Sequence, residues 1–201
     1  MEVEHHPPTV DRPALEIHRS PRRRRGATAR ARGDTIVVRL PAGLPAAEDA
    51  RLVDRLVEKV TGRARAEALG GDEGLHARAL ALADRYLDGV RPSAVRFSSR
   101  MTQRLGSCTP TEGTIRISEE VAGFPAWVRD YVLLHELAHL RVPDHSPAFH
   151  QLLSRYPRAE RARGWLEGYA AGRLHAGRHH PEGSDPATPP AAGASPGDGR
   201  G

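Results

Sequence analysis

At 201 residues the chain has room for one domain of ordinary size, with residues to spare. A single cysteine, Cys108, excludes an internal disulfide framework and points to a reducing cytoplasm. No run approaches the roughly 18 to 20 apolar residues of a membrane span, and no apolar leader opens the chain. The net charge of +5 is concentrated in RSPRRRRGATARARG (residues 19–33), which contains no acid. We read that stretch as a solvated arm rather than a nucleic-acid contact.

In chain order, residues 1–33 are rich in Pro, His and Arg without a sustained period, so they are expected to be disordered. TIVVRLP (35–41) reads as a short strand. Leu52, Val53, Leu56, Val57 and Val60 make a helical stripe that ends at Gly70-Gly71, and a second helix follows from Asp72 to about Asp88. AVRFS (94–98), MTQRLGSC (101–108) and TIRIS (114–118) read as strands, the last two joined as a hairpin through TPTEG. After Pro125 a long helix runs to about Arg141, where Val142-Pro143 ends it. Ser146-Pro147 starts another helix, and a last one carries Trp165, Leu166 and Tyr169 inward. Residues 178–201 are Pro/Gly/Ala/Ser low complexity, an expected disordered tail.

The chemistry lies in HELAHLRVPDH (135–145). Residues four apart on a helix share a face, so His135 and His139 can offer two imidazoles to one ion, with Glu136 beside it. This is the H-E-x-x-H arrangement, in which two histidines ligate zinc and the glutamate takes a proton from the bound water. His145, six residues after His139 and just beyond Pro143, is the candidate third ligand. The interval equals that of the metzincins, although Val142 stands at their glycine position. The competing reading is two core histidines bonded to neighbours. Against it, YVLLHELAHL is apolar on all sides, and a carboxylate buried there without a cation costs several kcal/mol or is neutralised. The other eight histidines are assigned no role.

RLGSCTPTEGTIRIS, DYVLLHELAHLRVPDHSPAFHQLL and GWLEGY together resemble the YgjP-like metallopeptidase domain, a zincin-like group related to the SprT and WLM proteases. The resemblance implies metal ligands His135, His139 and His145, with Glu136 as general base. It matches Gly106, Ser107 and Cys108 to the family's G-S-C, and Phe149 to an aromatic packed behind the third ligand. Leu105, His150 and Ser118 depart from the residues usual there, all off the ligand set. Gly106-Ser107-Cys108 is either a tight place in a strand beside the helix or a cleft edge that pairs with extended substrate.

The expectation is an α+β, zincin-like domain over 34–177, a small antiparallel sheet packed on an active-site helix, between disordered tails at 1–33 and 178–201. It would be a cytoplasmic zinc metallopeptidase holding one ion and acting on peptide or protein. Two other readings stay open. A phosphoanhydride hydrolase would use Arg96, Arg100 and Arg104 to bind phosphates, and a DNA-associated SprT-like protease would use the Arg22–Arg25 stretch.

Overall fold

The computed structural model describes residues 2–10 and 12–176, with side chains to residue 173. The tail expected at 178–201 lies outside the described residues.

Alternation shapes the N-terminal third. Four strands, β1 (Glu2–His6), β2 (Ala14–Ser20), β3 (Thr28–Arg32) and β4 (Thr35–Pro41), form one sheet in the order β1-β2-β4-β3. Strands β2 and β4 are parallel, and the two outer pairings are antiparallel. This corrects the expectation of a disordered arm over 1–33. The pattern Leu15-Glu16-Ile17-His18 buries Leu15 and Ile17 while turning the polar residues to the other face. Those two residues join Ile36, Val38 and Leu40 of β4 against Val53 and Val57 of α1 (Ala46–Ala68). A high arginine content does not prevent a strand whose alternate positions are apolar.

Gly70 (φ +87°) and Gly71 (φ +61°) sit in the left-handed region, separating α1 from α2 (Gly71–Tyr86) where the glycine pair was expected to break the helix. Strands β5 (Ala94–Ser98), β6 (Gly106–Thr109) and β7 (Thr114–Ser118) form a second sheet in the order β5-β7-β6. The β6–β7 hairpin is antiparallel as expected, but β5 pairs with β7 in parallel, so the sheet is mixed. Strand β6 also begins at Gly106 rather than at residue 101. The segment before it runs as a loop, held where Ser118 Oγ donates to the Met101 carbonyl (3.1 Å) and Ser118 N donates to that of Leu105 (2.9 Å).

A short 3-10 turn (Glu119–Gly123) leads into α3 (Ala126–Ala138), followed by α4 (Pro147–Ser154) and α5 (Ala159–Ala176). Helix α3 is buried nearly all round, through Val128, Tyr131, Val132, Leu133, Leu134, Leu137 and Ala138. It is the spine of a second core, with Ile115, Ile117 and Val95 of the sheet on one side and Leu82, Phe149 and Leu153 on others. One ion pair pins α3 to α2: Arg78 donates from Nε and Nη2 to both oxygens of the buried Asp130 (2.8 and 2.6 Å). The α+β class and a small sheet packed on the central helix are therefore as read.

Candidate metal centre

Helical spacing and a forced turn bring three imidazoles together. His135 projects from the last turn of α3, and His139 caps it with helical φ and ψ (−64°, −19°), so the four-residue spacing holds to the end. The chain then folds back: the N–H groups of Leu140, Arg141 and Val142 donate to the carbonyls of Leu137 and Ala138 (2.9–3.1 Å). Beyond Pro143, Asp144 Oδ1 accepts from Ser146 N (3.3 Å), and α4 starts with Pro147 in its first turn. His145 is left between the turn and the helix, pointing back at α3. The nitrogen donors of His135, His139 and His145 lie within 4.8 Å of one another. The Nε2 atoms of His135 and His145 are 3.1 Å apart.

These residues fit a divalent cation. Two imidazole nitrogens that close repel unless one carries a proton or an ion sits between them. A tetrahedral ion bound at about 2.0–2.1 Å holds its donors about 3.4 Å apart, close to the His135–His145 separation. His139 Nδ1 lies 3.2 Å from the Val142 carbonyl. A carbonyl can only accept, so Nδ1 carries the hydrogen and Nε2 keeps its lone pair. Burial, and then the neighbouring His139 and His145, push His135 down to about 4. Burial likewise lowers His139. Neutral imidazoles at physiological pH are what a metal requires.

Phe149, fully buried on α4, is the floor of the cluster. Its ring centroid lies 4.9, 4.5 and 4.8 Å from those of His135, His139 and His145, stacked on His139 and edge-on to the other two. It fixes the ring planes and closes the side of the site facing the core.

Glu136 is buried at 7% exposure, and that burial pushes its carboxyl up to about 7, against the opposing charge of Arg104. Every fully buried side-chain nitrogen or oxygen among the described residues has a partner, yet no protein hydrogen bond contributes to the Glu136 shift. Its carboxylate oxygens therefore retain an opening to water. Strand β6 sets that environment. A Cβ on Gly106 would lie 2.5 Å from Glu136 Oε1 and 2.7 Å from its Cγ, so only glycine lets the strand pass. Cys108, on the same face two residues on, is pushed up to about 11 by burial and then by the Glu136 charge. It stays a thiol, not a nucleophile.

The other polar residues around the centre separate. Ser107 pairs in register with Arg116 on the opposite sheet face, and Arg96 is also in register with Arg116 there, away from α3. Arg104 is exposed in the loop before β6, within electrostatic reach of Glu136. The Tyr156 hydroxyl donates to the Trp127 carbonyl (3.1 Å) and belongs to the core, while the Tyr131 ring centroid lies 6.4 Å from that of His135. One residue near the site had no sequence signal. Asp88, at φ +51°, accepts from Arg141 (2.7 Å), two residues past His139, and from Arg155 (2.8 and 2.9 Å) at the end of α4. It ties the turn after α3 and the end of α4 to the end of α2, across sequence separations that no local pattern reveals.

Residues 73–169 match the family described as the YgjP-like, metallopeptidase domain, a stretch containing all three histidines, Glu136 and β6. The crystal structure of the metallopeptidase zymogen of Pyrococcus abyssi abylysin is similar over 50% of this chain and 95% of its own, at 25% identity and a TM-score of 0.43. No curated protein matches the chain. From α2 to α5, then, residues 73–169 of this chain are similar to the YgjP-like metallopeptidase domain.

Proposed function

We propose that this chain is a zinc-dependent peptidase in which His135, His139 and His145 hold the ion and Glu136 is the general base. The observation that carries it is the convergence of three imidazole donors beside one buried carboxylate. Bound there, a divalent cation supplies Lewis acidity, activating water and polarising a carbonyl. Glu136 takes the proton of the attacking water and returns it to the leaving amine; a carboxyl poised near neutrality suits both transfers. Phe149 and the apolar face of α3 keep bulk water from the inner side of the reaction. Strand β6 has a free edge, since it ends the order β5-β7-β6, and that edge offers backbone groups to an extended peptide. Arg104, on the rim, is the available cation for a substrate carboxylate or a developing negative charge.

The phosphoanhydride reading is weaker, because Arg96 faces away from the histidines. No helix among the described residues is long and apolar enough to cross a membrane, and the lone Cys108 suits a reducing cytoplasm. Metal analysis beside a peptide-hydrolysis assay tests the proposal. Wild type should bind one equivalent of zinc and His139→Ala should lose it. Glu136→Gln should keep the metal while turnover falls by about 10²–10⁴. A Glu136→Gln protein as active as the parent would remove the assigned base.

A further inference from the structure

The outer face of the N-terminal sheet is not used by the metal centre and has no described helix over it. Helix α1 covers the other face, where Leu15, Ile17, Ile36, Val38 and Leu40 are buried. The register then fixes what the open face presents. Arg30 stands opposite Val37, Arg32 opposite Thr35 and Thr28 opposite Arg39, while Glu16 and His18 pair with Val37 and Arg39 from the other side. Arg30, Arg32 and Arg39 are all exposed. The one acid among them, Glu16, is committed to His18 and Arg32.

The β2–β3 connection adds to this charge. Because β4 lies between β2 and β3, the connection must pass the end of β4, where Ala42 N donates to the Ser20 carbonyl (3.2 Å) and Arg39 stands opposite Thr28. It carries Arg22, Arg24 and Arg25, all exposed. Residues 1–41 hold nine arginines against five acids. Arg12 and Arg19, by contrast, pair with Asp54 and Asp49 of α1. The unneutralised charge is thus sorted onto one face and one end.

We propose that this face binds the phosphate backbone of duplex nucleic acid without reading its sequence. Guanidinium groups grip phosphates bidentately, and Arg39 stands two residues along β4 from the Val37 that faces Arg30, so Arg30 and Arg39 present neighbouring anion contacts on this face. No Phe, Tyr or Trp occurs before Tyr86, so the face has no platform for stacking unpaired bases. It also lacks the apolar side chains that anchor a protein in lipid: Val3 is the only large apolar residue exposed on these four strands. Salt-sensitive backbone binding to a duplex is what remains.

The test measures binding of the full chain to a short mixed-sequence DNA duplex by fluorescence anisotropy, over about 50–200 mM salt. Arg30→Gln/Arg39→Gln should bind roughly tenfold more weakly at low salt, with a log–log salt slope shallower by about 2. Arg51→Gln/Arg55→Gln, which removes equal charge from exposed positions on α1, should leave the slope within error of wild type. Unchanged circular dichroism melts would show that both variants fold. Equal losses in the two variants would reduce the effect to net charge and overturn the proposal. So would an absence of duplex binding at low salt, or capture by phosphatidylserine vesicles with none by the duplex.

Discussion

At the scale of single residues, the centre depends on small side chains near Glu136 as much as on the ligands. Gly106 is the clearest case. Adding one methyl group places carbon 2.5 Å from a carboxylate oxygen, so either β6 or Glu136 must move. Gly106→Ala should lower stability by about 1–3 kcal/mol and should depress kcat more than zinc content, since the base shifts while the ligands stay. Peptidase assays with metal analysis and a urea melt separate those effects. Cys108 reports on the same environment. Its thiol is held protonated to about pH 11, so iodoacetamide should label it about 100-fold more slowly than a free thiol at pH 8. The linkage follows in sign. The folded state keeps its proton above the unfolded pKa of about 8.5, so this residue's stabilisation is complete below that value and is lost as pH rises towards about 11. A Cys108→Ala variant should not show that part of the decline.

Among the elements, the contact of α4 with α3 matters most to the centre. Phe149 touches all three histidine rings and is fully buried, so its side chain is both core and support for the three imidazoles. Phe149→Ala should cost about 3–5 kcal/mol and weaken zinc binding, measured by chelator competition on the fraction that remains folded. Leucine at 149 should restore much of the stability but less of the metal affinity, because an aliphatic chain fills volume without fixing ring planes. Asp88 acts at the same scale. By holding Arg141 and Arg155 it keeps the turn after α3 and the end of α4 in a fixed relation.

Over the whole molecule, the apolar interior divides. One core joins the N-terminal sheet to α1, and another surrounds α3; α1 meets the 3-10 turn between them, where a Cβ on Gly62 would lie 3.3 Å from the Glu119 carbonyl oxygen. The family match covers only the second of these regions. Both tryptophans, Trp127 and Trp165, pack against the second core. Val38→Ala, in the first, should destabilise by about 2 kcal/mol as followed by far-UV circular dichroism. The tryptophan-fluorescence transition should move less. Coincident shifts of both probes would show instead that the two cores unfold as one unit.

What was legible in advance follows from how local each feature is. The stripe of α1, the glycine break after it and the start of α4 at Ser146-Pro147 are written within a few residues, and they were readable. The N-terminal sheet was not. Strand β1 is wholly exposed and β3 buries almost nothing, so neither carries an apolar pattern of its own, although β3 meets β4 through the two-residue turn Gly33-Asp34. Beside them the arginine content dominated the reading, although Leu15-Glu16-Ile17-His18 already carried a strand's alternation. The parallel pairing of β5 with β7 was hidden because it joins strands with β6 between them in the chain.

That His135, Glu136 and His139 share a helix, and that a turn at Pro143 precedes a third histidine, was already written in the order of the residues. Helical spacing and proline sterics act over a few residues and need no partner. The folded chain added that His145 closes on His135, that Phe149 underlies all three rings and that Gly106 admits Glu136 to a buried position. It alone placed Arg30, Arg32 and Arg39 on one open sheet face. Burial, strand register and the pKa values that follow from them arise from contacts between distant segments, and no local pattern encodes those.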